Sequence, residues 1–179
     1  LDPPVLDVST KLEITDRYLS WDEAGMIAAL SAAEVEAVKE LTTIVNDLIS
    51  RTFTELNLTN EDGKIELGFD TERRLMLVDV LGTLDECRFT HEGLPVSKEI
   101  TRIWYRGSQW HRDTEEAKKE DRRHWKEICR SAPEPLPPAL KQMVSDIYCA
   151  CTNEVTGRDW FPGTPPLKMT LEKIRSFLK

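Results

Sequence analysis

No run in this 179-residue sequence is apolar for long enough to cross a bilayer, and no basic stretch followed by an apolar core opens it. Both absences favour a cytoplasmic protein that engages no membrane. Positive charge is also in short supply. Against 32 Asp and Glu there are 24 Lys and Arg, and the net charge of -8 removes the basic footprint of a general nucleic-acid binder. An anionic ligand would need a local basic cluster or a metal ion. Cysteine is scarce: Cys87, Cys129, Cys149 and Cys151 are too few and too irregular for a disulfide framework. A Cys-x-Cys pair on a helix aims its thiols apart, and His91, His111 and His124 do not complete a zinc spacing, which leaves ordinary buried thiols. Internal repeats and low-complexity tracts are missing. So is an initiator Met: the chain opens Leu1-Asp2-Pro3-Pro4, as expected of a cleaved or truncated piece of something longer. Homo-oligomer formation is left open.

What is present is enough apolar residue, 40%, to bury one substantial core. After an extended opening at Val5 to Val8, a polar loop carries Lys11, Glu13, Asp16 and Arg17 toward Trp21. Ser31-Ala32-Ala33-Glu34 has the form of a capping box, and Val35, Val38, Leu41, Val45, Leu48 and Ile49 follow at helical spacing, which predicts a helix to about Leu56. Turn residues fill 57–63, and a loop is expected over 81–96. Ser97 can cap a short helix through Ile100 and Trp104, and a highly charged helix with a thin apolar stripe is expected over 114–130. Pro133, Pro135, Pro137 and Pro138 form a stiff connector; a helix then runs from about Ala139 to a stop near Gly157, and a last one carries Leu167, Leu171, Ile174 and Leu178.

Between the first long helix and the loop lie two strand-like runs, Lys64 to Asp70 and Leu75 to Val80, joined by Thr71-Glu72-Arg73-Arg74. A symmetric four-residue connector sets Asp70 opposite Leu75, Gly68 opposite Leu77 and Glu66 opposite Asp79. Ile65, Leu67, Phe69, Met76, Val78 and Val80 would then face a core. Two apposed carboxylates at roughly 5 Å repel by about 3 kcal/mol at an effective dielectric near 20. A divalent cation reverses that sign, and Mg2+ commonly takes one or two carboxylates together with substrate phosphate oxygens. The pair Glu66 and Asp79 is therefore a candidate platform for a metal-bound nucleotide, set against the alternative of solvated surface charge.

Taken in order, these segments resemble the C-terminal two-thirds of SAICAR synthetase over most of residues 1 to about 160. The residues that carry the resemblance are Leu1-Asp2-Pro3-Pro4, the loop from Lys11 to Asp16, the long helix, and above all Asp62-Gly63-Lys64-Ile65-Glu66-Leu67-Gly68 with Asp79, Asp85 and Arg88 after it. Ser97-Lys98-Glu99-Ile100-Thr101-Arg102 and Thr156-Gly157 are similar to later family segments. The resemblance implies an α+β fold, an antiparallel sheet with flanking helices. Residues 1–131 would form the ATP-binding catalytic domain and 132–179 a helical C-terminal extension packed on it.

The implied reaction joins L-aspartate to the carboxylate of carboxyaminoimidazole ribotide (CAIR) through an acyl phosphate, consuming ATP and releasing ADP and phosphate, in purine biosynthesis. Glu66 and Asp79 would hold Mg2+ against the ATP phosphates, Asp62 and Lys64 would serve the reacting carboxylate and incoming aspartate, and Arg88 would grip the ribotide. Lys11, Asp16, Asp85, Lys98 and Arg102 complete the expected substrate side. The family's Gly-Asp-Glu-x-Ser-Pro-Asp-x-x-Arg run becomes Val78 to Arg88 here, one residue longer and with Val80 in place of the second acid. Either Asp85 or Glu86 can take the acidic loop position. Residues 110–138 exceed the compact family members, and the family's N-terminal lobe, with its phosphate-binding turn and adenine pocket, is not recognisable, so that lobe or a chain supplying it is an expected partner. Two other readings are a small-molecule kinase on a related scaffold, indifferent to aspartate, and a non-catalytic interaction module using the charged helix and Trp-rich tail.

Overall fold

Seven helices and seven short strands make up residues 4–178, the part of the chain that the computed structural model describes. The Leu1-Asp2-Pro3 portion of the opening motif lies outside the described residues. Strands β1 (Val8–Ser9) and β2 (Tyr18–Leu19) pair around the polar loop, then α1 (Trp21–Ile27) and α2 (Ala32–Thr54) follow. The Ser31 capping box is formed: its hydroxyl accepts from the Glu34 amide, and the Glu34 carboxylate accepts from the Ser31 amide. Helix α2 buries Val45, Ile49 and Phe53, which fall at four-residue steps along one face.

Next come β3 (Thr59–Gly63), β4 (Leu67–Phe69), β5 (Leu75–Leu77), β6 (Cys87–His91) and β7 (Leu94–Pro95). They form two separate antiparallel ladders, β3-β6-β7 and β4-β5. The helices α3 (Glu99–Arg106), α4 (Gln109–Glu120), α5 (Trp125–Ile128), α6 (Pro138–Thr156) and α7 (Leu167–Phe177) complete the chain. Pro138 opens α6 at its first turn, and Gly157 ends it in the left-handed conformation at φ 61°. Both C-terminal helices share one core with the earlier elements: Leu140, Ile147, Leu167, Leu171 and Ile174 pack in the same cluster as Phe53, Phe89, Val96 and Ile100. Phe53 and Phe89 stack at its centre, ring centroids 3.9 Å apart and 17° from parallel. The fold is α+β.

Several expectations are corrected. Residues 59–63 read as turn because Thr-Asn-Glu-Asp-Gly has poor strand propensity, yet they form β3; pairing with β6 and the bonds from Asn60 Nδ2 to Asn46 (3.3 Å) and Ser50 (3.0 Å) on α2 override that preference. The loop 81–96 contains a hairpin, in which Glu92 and Gly93 both have positive φ (48° and 76°), the signature of a two-residue type I′ turn between β6 and β7. The charged helix expected over 114–130 is two, because the Asp121 carboxylate accepts from the amides of Arg123 and His124 and turns the chain there. The segment leading to Trp21 contains β2 and gives way to α1.

The most consequential correction concerns the hairpin register. The Asp70 amide donates to the Arg74 carbonyl (3.1 Å), the Asp70 carboxylate accepts from the amides of Glu72 and Arg74, and Arg73 sits at φ 62°. That is a three-residue loop with a left-handed closing residue, one shorter than the symmetric connector. The pairs are Leu67 with Leu77, Gly68 with Met76 and Phe69 with Leu75, and the Val78 amide donates to the Glu66 carbonyl. Glu66 is thus opposite Val78 and not Asp79. A slip of one residue reverses the faces of β5. Ile65 and Leu77 pack on the core, while Met76, Val78 and Val80 are 45%, 51% and 57% exposed.

Candidate active site

The segment from Asp62 to Phe69 serves two ladders in succession. Its first part pairs with β6: Asp62 is opposite Arg88, Gly63 opposite Cys87, and the Lys64 amide donates to the Glu86 carbonyl at 3.0 Å. Past Ile65 it pairs with β5. Residues 64–66 link the two ladders, and there Lys64 and Glu66, two apart, turn their side chains toward one another. Lys64 Nζ lies 3.3 Å from Glu66 Oε1 accordingly.

Glu66 is the centre of this cluster. Its side chain is only 15% exposed, and its other carboxylate oxygen is bound by the ammonium of Lys11, delivered by the loop between β1 and β2. The Lys11 hydrogen bond, reinforced by Lys64, holds the Glu66 carboxyl below the usual carboxylate range against the opposing effect of desolvation. Reciprocally, the Lys11 ammonium is held above its usual range, first by its bond to Glu66 and further by the fields of Asp79 and Glu86. Asp79 therefore stands in the same neighbourhood as Glu66 even though it is not its cross-strand partner. One of its oxygens, Oδ1, accepts from the Val80 amide at 2.8 Å.

Flanking this cluster, Asp62 and Arg88 form an ion pair at 2.9 Å across the β3-β6 ladder. Asp85 is tied elsewhere: its Oδ1 accepts from the Tyr148 hydroxyl at 2.7 Å, and its backbone carbonyl accepts from Lys98 Nζ at 3.1 Å. Burial and the Asp85 carboxylate push the Tyr148 phenol well above its usual range. Lys98 and Arg102 do not converge on a common point, because Arg102 Nη1 donates to Glu99 at 3.1 Å while Lys98 turns to Asp85. Asp16 lies exposed in the loop and makes no side-chain hydrogen bond or ion pair among the described residues. Glu86 is one of the two acids the sequence offers for the loop position, while Tyr148, 63 residues from Asp85, carries no local signal of their contact.

Hard oxygen donors and ammonium groups in one place suit a metal-bound phosphate group and a carboxylate substrate. Among the described residues no group of three His, Cys, Asp or Glu side chains forms a closed metal cage. A metal here would need ligand oxygens beside the carboxylates, and it would take up Glu66 oxygens that Lys11 and Lys64 hold in this structure. No helix of the described residues is long and apolar enough to cross a membrane.

Comparison with known proteins places these features in a family. Residues 1–127 match the family model described as SAICAR synthetase. Over 179 residues the chain is 45% identical to an Archaeoglobus fulgidus protein assigned as a phosphoribosylaminoimidazole-succinocarboxamide synthase, covering 100% of this chain and 53% of that one. It is 32% identical over 171 residues to the synthase of the same name from Thermoplasma acidophilum, covering 89% of this chain and 55% of the relative. The chain thus spans about half the length of these relatives. A solved SAICAR synthetase of type 2 in complex with ADP shares the fold at a TM-score of 0.53 and 20% identity, over 75% of this chain and 55% of the other. A synthase structure from Ehrlichia chaffeensis matches at 0.52 and 22%, over 73% and 53%. On the matching model and these relatives, the chain belongs to the SAICAR synthetase family.

Proposed function

We propose that this chain supplies the metal, ribotide and aspartate side of a ligase that joins L-aspartate to the carboxylate of CAIR at the expense of ATP, in the cytoplasm. The observation that carries this reading is the convergence of Lys64, from the link between β3 and β4, and Lys11, from a distant loop, on the Glu66 carboxylate. The relatives are about twice as long as the matched region, so the nucleotide's other wall belongs to a further lobe, in this polypeptide or another.

The chemistry requires the CAIR carboxylate to attack the γ-phosphoryl group, giving an acyl phosphate and ADP. The aspartate amine then attacks the acyl carbon, phosphate leaves and an amide forms. Lys64 is suited to draw the reacting carboxylate into line, since its ammonium is already aimed at a carboxylate oxygen. Arg88 offers a planar fork for ribotide oxygens, oriented by Asp62 across the ladder. Lys11 screens the acidic cluster, which would otherwise repel two anionic substrates. Glu66 and Asp79, with Glu86 close by, would hold Mg2+, which when bound neutralises charge on the phosphate oxygens. Glu86, whose field reaches Lys11, fits the acidic loop position better than Asp85, which is bonded to Tyr148.

The test uses the full-length protein. Phosphate release from ATP should require both CAIR and L-aspartate, and Glu66→Gln and Asp79→Asn should each remove Mg2+-dependent turnover with the circular dichroism spectrum intact. Release that ignores aspartate would favour a kinase, and wild-type turnover in both variants would refute the metal role.

A further inference from the structure

The turn that carries Asp85 and Glu86 sends its two acids to different neighbours. Backbone bonds tie its ends: the Cys87 amide donates to the Thr83 carbonyl at 3.0 Å, and the Glu86 carbonyl accepts from the Lys64 amide at 3.0 Å, beside the strand link that leads to Glu66. The Thr83 hydroxyl accepts from the Glu86 amide at 3.2 Å. Leu84 and Cys87 are buried in the core. Asp85 turns instead to α6, where its Oδ1 accepts from the Tyr148 hydroxyl at 2.7 Å, while Glu86 stands close enough to Lys11 for its charge to act on that ammonium.

Glu86 is half-buried, yet its carboxylate makes no hydrogen bond or ion pair among the described residues. A side chain with no partner of its own goes where its backbone sends it. The neighbouring residue is what holds that backbone: Tyr148 grips the Asp85 carboxylate, and Lys98 Nζ grips the Asp85 carbonyl at 3.1 Å. Tyr148 is the stiffer of the two anchors. Its ring is packed against the shared core, and a phenol bonded to an ionised carboxylate is a short, charge-assisted pair. Lys98 is a flexible, half-exposed side chain whose ammonium lies 3.9 Å from Asp85 Oδ1, beyond hydrogen-bonding distance.

We propose that Tyr148 is a positioning residue: through its bond to Asp85 it fixes the 83–87 turn so that Glu86 faces Lys11 on the side of Glu66. Tyr148 belongs to α6 and lies beyond residues 1–127, the part that matches the family model. A C-terminal helix thereby orders the acidic cluster as well as filling the core. The proposal rests on the ligase reading only for the use made of Glu86, as an acid turned toward metal-bound phosphates.

Hydrogen exchange followed by mass spectrometry on the full-length protein tests this, comparing wild type with Tyr148→Phe, Asp85→Ala and the double variant. Tyr148→Phe keeps the ring and its packing and removes only the donor. Each single variant should speed exchange at Glu86 and Cys87 by about tenfold, the double variant should add nothing further, and α2 should exchange as before. Asp85→Asn retains an acceptor oxygen and should restore most of the protection. A second readout is Mn2+ affinity in the presence of ADP, followed by the paramagnetic resonance of free Mn2+. Tyr148→Phe should lower it about tenfold, and combining it with Glu86→Gln should lower it no more than Glu86→Gln alone, as expected of a residue that acts through Glu86. Unchanged exchange over 83–87, acceleration spread evenly through the protein, or a Mn2+ loss that adds in full to that of Glu86→Gln overturns the proposal; so does a Tyr148→Phe variant with intact Mn2+ affinity where Glu86→Gln lowers it. If wild type binds no Mn2+ with ADP, or Glu86→Gln leaves that binding unchanged, the metal-facing reading of Glu86 fails, and the exchange comparison still decides whether Tyr148 holds the turn.

Discussion

Lys11 and Glu66 are 55 residues apart in sequence and bonded in space, the ammonium of a surface loop closing on a carboxylate that is otherwise only 15% exposed. The bond fixes the β1-β2 loop over the strand that carries Asp62 and Lys64. It also keeps the Glu66 carboxylate charged to a lower pH than usual.

A pH dependence of stability follows. Because the folded Glu66 carboxyl is held below its ordinary value of 4.5, its contribution is complete above that pH and is lost as pH falls through the lowered value. Lys11 is raised above 10.5, so its contribution is complete below that pH and is lost as pH rises through the raised value. Thermal denaturation of wild type and Lys11→Met should differ by a constant amount from pH 5 to pH 10 and converge toward both extremes, wild type being the more stable. A gap that persists undiminished at pH 2 would show that Lys11 acts by packing and not through Glu66.

The hairpin register supplies a second prediction, which separates the observed three-residue loop from the symmetric connector. Leu77→Thr removes an inward-facing side chain and should cost about 1–2 kcal/mol in chemical denaturation, whereas Val78→Thr, on the exposed face, should stay within about 0.5 kcal/mol. The connector of four residues demands the reverse order.

That pair of residues also marks how far the sequence could be read. The nearness of Lys64 to Glu66 was legible because the two are only two residues apart, and the capping box at Ser31 and the proline start of α6 were legible because they too are local. The register was not, since it turns on whether Asp70 closes the loop onto Arg74 or onto Leu75, and an Arg in the left-handed position gives none of the usual glycine signal. Strand β3 was hidden because its Thr-Asn-Glu-Asp-Gly composition opposes its conformation, and it is held extended by β6, later in the chain, and by side-chain bonds to the preceding helix α2. The Glu92-Gly93 turn does have a local signal, Gly93 at positive φ, but the flanking strands are too short to announce a hairpin. Asp85 could not be distinguished from Glu86 without Tyr148, which tertiary packing alone brings to it.

The third prediction concerns Gly63, which sits between Asp62 and Lys64 and faces Cys87 across the β3-β6 ladder. A Cβ at residue 63 would come within 2.8 Å of the Cys87 Sγ, closer than unbonded atoms tolerate, and Cys87 is 2% exposed with no room to retreat. Burial has also pushed its thiol up to about 11, so it is a packed, unreactive group and not a nucleophile. Gly63→Ala should therefore destabilise by about 1–3 kcal/mol, through displacement of the very strand that aligns Asp62 and Lys64. In the full-length protein that displacement should lower turnover more than the loss of folded protein accounts for. Cys87→Ala removes the obstructing sulfur at a modest cavity cost, and the double variant should regain most of the loss in both stability and turnover. Additive losses in the double variant would place the strain elsewhere, while recovery would show that the close approach of Gly63 to Cys87 is what keeps the two site residues in register with Arg88 and Glu86.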